Sequence, residues 1–68
     1  MTKVEVSSPK SPSRYYEFPE VEDLVAWMTR KLMVPTKDIP KLTKAAFLAA
    51  EECTFFVYGS MVVTFESD

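Results

Sequence analysis

Apolar and polar positions change period along this chain, and the last change is the most informative. Thr54-Phe55-Phe56-Val57-Tyr58 and Met61-Val62-Val63-Thr64-Phe65 are two β-branched and aromatic runs separated by Gly59-Ser60. Such a pattern predicts a β-hairpin over about 54–66, closed by a two-residue II′ turn that places the chain's only glycine where φ must be positive. Pairing through that turn sets Tyr58 against Met61, Phe56 against Val63 and Thr54 against Phe65 on one face. The other face carries Val57 against Val62, Phe55 against Thr64 and Cys53 against Glu66. A half-buried antiparallel ribbon alternates apolar with polar positions. This one is apolar on both faces and asks for cover on both sides.

Upstream the period is that of helices. Val21, Leu24, Val25, Met28 and Leu32 fall at i, i+3, i+4, i+7 and i+11, a core-facing stripe. Pro19 suits a helix start, Glu20, Glu22 and Asp23 the positive N-terminal end, and Arg30 and Lys31 the negative C-terminal end. Pro35 disfavours α geometry in the residue before it, so a helix over about 19–33 is predicted. A second helix, over about 39–52, has Asp38 as its cap, Pro40 in its first turn and a stripe of Ile39, Leu42, Ala46, Ala49, Ala50 and Cys53. Its small residues permit close approach to a neighbour. Lys3-Val4-Glu5-Val6 alternates as a short edge strand with both valines inward. Residues 7–14 read as a Ser/Pro-rich linker, and Tyr15-Tyr16-Glu17-Phe18 as a second short strand or an ordered approach to the first helix. The expected fold is a small two-layer α+β domain, with two helices packed on a three- or four-stranded antiparallel sheet that ends in the C-terminal hairpin.

Length sharpens the problem of the uncovered face. Sixty-eight residues make one domain, and a chain of this size buries only about 60% of the surface its unfolded form exposes. The usual supports are disulfides, a structural metal or association. Cys53 is the only cysteine and histidine is absent, which closes the intramolecular disulfide and the ordinary Cys/His zinc site. Association remains. A lone unpaired cysteine fits a reducing, cytoplasmic setting. No hydrophobic leader and no apolar run of membrane-spanning length appears, so a soluble protein is expected. The net charge of −2 and pI near 5.0 give no bulk attraction to nucleic acid or an anionic membrane.

The inventory for catalysis is thin. Without histidine, Ser-His and Cys-His nucleophile pairs cannot be built. Cys53, on an apolar stripe, is expected to be a buried inert thiol. The acids at 20, 22 and 23 are ordinary dipole partners, and one glycine, used in the hairpin turn, leaves no phosphate loop. No enzyme, no metal and no cofactor is expected.

Two binding readings remain. Helix, short turn, helix and hairpin is the element order of winged-helix domains; on that alternative Lys37, Lys41 and Lys44 approach phosphates. Against it, the second helix offers no Arg, Asn or Gln to read base edges, the wing is apolar, and Glu51 and Glu52 oppose a phosphate backbone. The favoured reading is a non-catalytic protein-binding module, an inhibitor or adaptor of a host protein in the style of compact phage or mobile-element proteins, with a structural homodimer as a further alternative. Its expected contact residues are Phe55, Val57 and Val62 on the second hairpin face, together with Trp27 and Leu48, which fall off their helices' core stripes. The partner is another protein or a second copy of the chain. Trp27 also suits the rim of the core, against Tyr15 or Tyr16.

Overall fold

The computed structural model describes residues 1–66. The elements run β1 (Thr2–Ser8), β2 (Ser11–Phe18), α1 (Val21–Leu32), a 3-10 turn (Thr36–Asp38), α2 (Ile39–Glu52), β3 (Phe55–Tyr58) and β4 (Met61–Phe65). The strands form one antiparallel sheet in the order β2-β1-β4-β3, and the helices pack on one of its faces. The two-layer α+β arrangement expected from the periodicities is the one observed.

The hairpin follows the expected register, Tyr58 on Met61 through Phe55 on Thr64. Gly59 has φ 61° while Ser60 keeps a negative φ, the II′ pattern. A Cβ on Gly59 would touch nothing within 4 Å, so backbone conformation and not space selects glycine there. The hairpin face carrying Phe56, Met61, Val63 and Phe65 is buried beneath the helices, joined by Val4 and Val6 from β1. From above, α1 contributes Leu24, Val25 and Met28, and α2 contributes Leu42, Ala46 and Ala49. Among the described residues no polar side chain is buried.

Two expectations at the N-terminal end are corrected. The 7–14 segment is not a linker: Ser7 and Ser8 finish β1, Pro9 and Lys10 turn, and Ser11 onward is β2. Its ladder is made of backbone groups, to which serine composition is indifferent. Pro12 is tolerated because β2 is a border strand with one unpaired side. In turn β1 is not at the edge. It lies between β2 and β4, with both valines inward as expected.

The helix ends also differ in detail. α1 begins at Val21, two residues after Pro19, with Glu20 as the cap residue, whose N–H donates to Asp23 Oδ2 at 3.1 Å. Both helices stop in one way. Met33 and Cys53 take left-handed conformations, φ 53° and 51°, and the next residues return N–H bonds to Thr29 O and Ala49 O at 3.1 and 3.0 Å. These are Schellman ends built without glycine. Cys53 is therefore an exposed terminator of α2 rather than a buried member of its stripe. Asp38 precedes α2 but makes no side-chain cap bond; its carboxylate is used elsewhere.

Candidate protein-binding surface

With both helices on one face, the other face of the sheet is open. Strand alternation places Lys3, Glu5 and Ser7 of β1, Tyr15 and Glu17 of β2, Val62 and Thr64 of β4, and Phe55 and Val57 of β3 on it. Registered across the sheet, Tyr15, Glu5, Thr64 and Phe55 form one row, and Ser7, Val62 and Val57 part of the next. Polar groups dominate the β2 side, where Lys3 and Glu17 stand 4.0 Å apart in an exposed pair of little energetic weight. Apolar groups gather at the β3 side. Phe55 is 58% exposed and Val57 54%, with half-buried Val62 next to Val57.

The β3 border is also open in its backbone. Thr54 O accepts from Phe65 N at 2.9 Å, which turns Thr54 toward β4. Alternation then turns Phe56 and Tyr58 the same way and leaves the N–H and C=O groups of Phe55 and Val57 pointing outward. The same two residues thus supply exposed apolar side chains and unpaired backbone groups.

Behind this border lies a groove of about 360 Å³ between α2 and β3, lined by Asp38, Lys41, Leu42, Ala45, Phe56, Val57 and Tyr58. Its end is fixed by the Tyr58 hydroxyl, which donates to Asp38 Oδ2 at 3.0 Å. Partial burial, then the Asp38 carboxylate as bond acceptor and neighbouring negative charge, push the Tyr58 phenol above its ordinary 10.0. Leu48, 53% exposed, continues the α2 flank of Lys41 and Ala45 toward Glu52. Phe47, 41% exposed on the opposite flank of α2, was not singled out by the sequence pattern; its position off the Leu42/Ala46/Ala49 stripe was the available signal.

Of the other sequence candidates, Lys41 lines the groove behind this border, and Trp27 lies apart from it. Trp27 is half-buried and engaged within the fold, its ring 4.9 Å from Tyr16, 5.7 Å from Phe18 and under the Lys31 ammonium at 5.5 Å. It is the rim residue that the sequence suggested, placed against Tyr16. A groove of about 310 Å³ beside it is lined by Ser8, Ser11, Arg14 and Lys31 among others. Lys37 sits on the 3-10 turn, and Lys41 and Lys44 on the exposed side of α2, with Glu51 and Glu52 at the far end of that helix. Among the described residues no three acidic or cysteine side chains converge as metal ligands, and no helix is long and apolar enough to cross a membrane. No family model, curated protein or solved structure matches the chain.

Proposed function

We propose that the protein is a non-catalytic protein-binding module that acts stoichiometrically, as an inhibitor or adaptor would, through the open face at the β3 side of its sheet. The observation that carries this reading is the adjacency of Phe55, Val57 and Val62 on one face, with their partners in the strand order known and none of the described residues folded over them. Left about half exposed, each such side chain forgoes roughly half of the 1.5–3 kcal/mol that full burial is worth. That is a large sum beside the 3–5 kcal/mol or so that a core of this size supplies. Contiguity is what separates this cluster from the scattered apolar residues every surface carries.

An unpaired, exposed Cys53 supports a reducing, cytoplasmic setting. The nucleic-acid alternative gains nothing from the geometry. α2, its would-be recognition helix, mixes Lys41 and Lys44 with exposed Phe47, Leu48, Glu51 and Glu52, a poor surface for a phosphate backbone.

The test compares the proteins retained from a native-host extract by the wild type and by Val62→Lys. Val62 faces the open side, so the lysine should leave the circular dichroism spectrum and melting midpoint within a few degrees of wild type. Retention of a specific partner should fall by at least tenfold, since a charge in a desolvated patch costs several kcal/mol of binding. An unchanged retained set, or a variant that unfolds, contradicts the assignment of this face.

A further inference from the structure

The groove of about 310 Å³ beside Trp27 lies between β2 and α1, at the border of the sheet opposite β3. Its polar lining includes Ser8, Ser11, Arg14 and Lys31, and no acidic residue borders it. That selection stands out in a chain with 10 acidic and 8 basic residues. Among the described residues the only ion pair is Lys3 with Glu17, so neither Arg14 nor Lys31 has an acidic partner within 4.0 Å.

The fold itself aims these donors. Arg14 pairs with Val6, which is buried beneath the helices, and so shares its face of the sheet. Strict alternation from Arg14 would put Ser11 on the opposite face. The register shift between Val6 and Ser8 prevents this. Pro12 and Ser13 stand across from Ser7 alone, and Ser11 comes to pair with Ser8. Bulges of this kind re-aim side chains, often beside binding sites. From the helix side, Trp27 is clamped by Tyr16 at 4.9 Å and Phe18 at 5.7 Å, and its ring holds the Lys31 ammonium at 5.5 Å. Strand and helix thus each bring one cation to the groove, and no described acid neutralises either.

We propose that this groove binds a small organic phosphate monoester, with its phosphate between Arg14 and Lys31 and its organic body against Tyr16 and Trp27. The donor set selects the anion. A guanidinium fork on a strand, an ammonium on a helix and two hydroxyls approach from more than one direction, which suits a tetrahedral group better than a planar carboxylate. A phosphate monoester presents three terminal oxygens and close to two negative charges. Size selects the rest of the ligand. The groove is at the small end of ligand pockets, which span roughly 300–1,000 Å³, so it has room for a phosphate and one ring. Two cations are too few for a nucleic-acid strand, whose affinity rests on many phosphate contacts. The site lies at the other border and on the other face from Phe55, Val57 and Val62, so it is independent of the binding reading above.

Trp27 is the chain's only tryptophan and reports from the groove wall. Phenyl phosphate, inorganic phosphate and phenol are titrated into the protein at low ionic strength, with tryptophan excited where phenyl rings do not absorb. Phenyl phosphate should give a saturable change in Trp27 emission, inorganic phosphate a weaker one, and phenol none. Arg14→Gln and Lys31→Gln should each weaken phenyl phosphate by roughly tenfold or more, and added salt should weaken it too. Lys44→Gln, on the exposed side of α2, should leave the affinity unchanged. Arg14 and Lys31 are both exposed, so the variants should keep the wild-type circular dichroism spectrum. They lie on different elements, so each tests the site even if the other fails to fold. No saturable response in the wild type, an affinity untouched by both variants, or an equal loss in Lys44→Gln overturns the proposal. Equal affinity for phenyl and inorganic phosphate overturns the organic body. A response to a phosphoserine peptide with none to phenyl phosphate overturns the small ligand and assigns the groove to a modified protein.

Discussion

At the scale of single residues, Met33 and Cys53 hold the left-handed position that ends each helix, with side chains that are exposed and give nothing back for the conformation. A non-glycine residue there costs on the order of 1–2 kcal/mol relative to its preferred backbone, partly offset by the greater freedom glycine loses on folding. Met33→Gly and Cys53→Gly should each raise stability by about 0.5–1 kcal/mol in urea unfolding, with the slope unchanged; a loss of stability in both would contradict this account of the helix ends. The same two residues show where sequence reading stops. Pro35 announced that α1 must end, but the chain has no glycine where either helix terminates, so the usual mark of the terminator was missing. Placing Cys53 on the core stripe extended the helical period one residue too far. Asp38 illustrates a second limit: its type suits a helix cap, yet the carboxylate goes to the Tyr58 hydroxyl, 20 residues away, a choice made by tertiary structure.

At the scale of elements, periodicity located both helices and the C-terminal hairpin because each buries one regular stripe. The β1–β2 hairpin was half hidden because only one face of β2 touches the core, through Tyr16 and Phe18, while the rest is serine, proline and charge. Of the candidate contact residues, the pairing register legible in the sequence already grouped Phe55, Val57 and Val62. The border position of β3 was not legible, since it depends on β1 inserting between β2 and β4. The Tyr58–Asp38 bond ties that border strand to the 3-10 turn and gives it a pH signature. The fold favours the neutral phenol, whose pKa lies above the ordinary 10.0. Its contribution is complete below that pH and is lost as pH rises through the raised value. Alkaline titration followed by tyrosinate absorbance should show a phase above the ordinary tyrosine range that belongs to Tyr58. Tyr58→Phe should remove that phase and lessen the fall of the melting midpoint at high pH. A titration whose highest-pH phase survives Tyr58→Phe would contradict it.

At the scale of the whole molecule, two helices cover one sheet face and nothing in the described chain covers the other. With one cysteine and no histidine, the chain has no covalent or ordinary zinc staple to compensate. On the reading proposed above, association through the β3 side would supply what the chain lacks, and amide hydrogen exchange by NMR across a dilution series reads it most directly. In dilute solution the Phe56 and Tyr58 amides, bonded within the sheet, should be protected while those of Phe55 and Val57 exchange freely. On concentration the latter two should become protected and the former two should change little. Phe55 and Val57 amides that stay unprotected in the concentrated protein, or that are protected even in the most dilute sample, would contradict the claim that this border is where the protein associates.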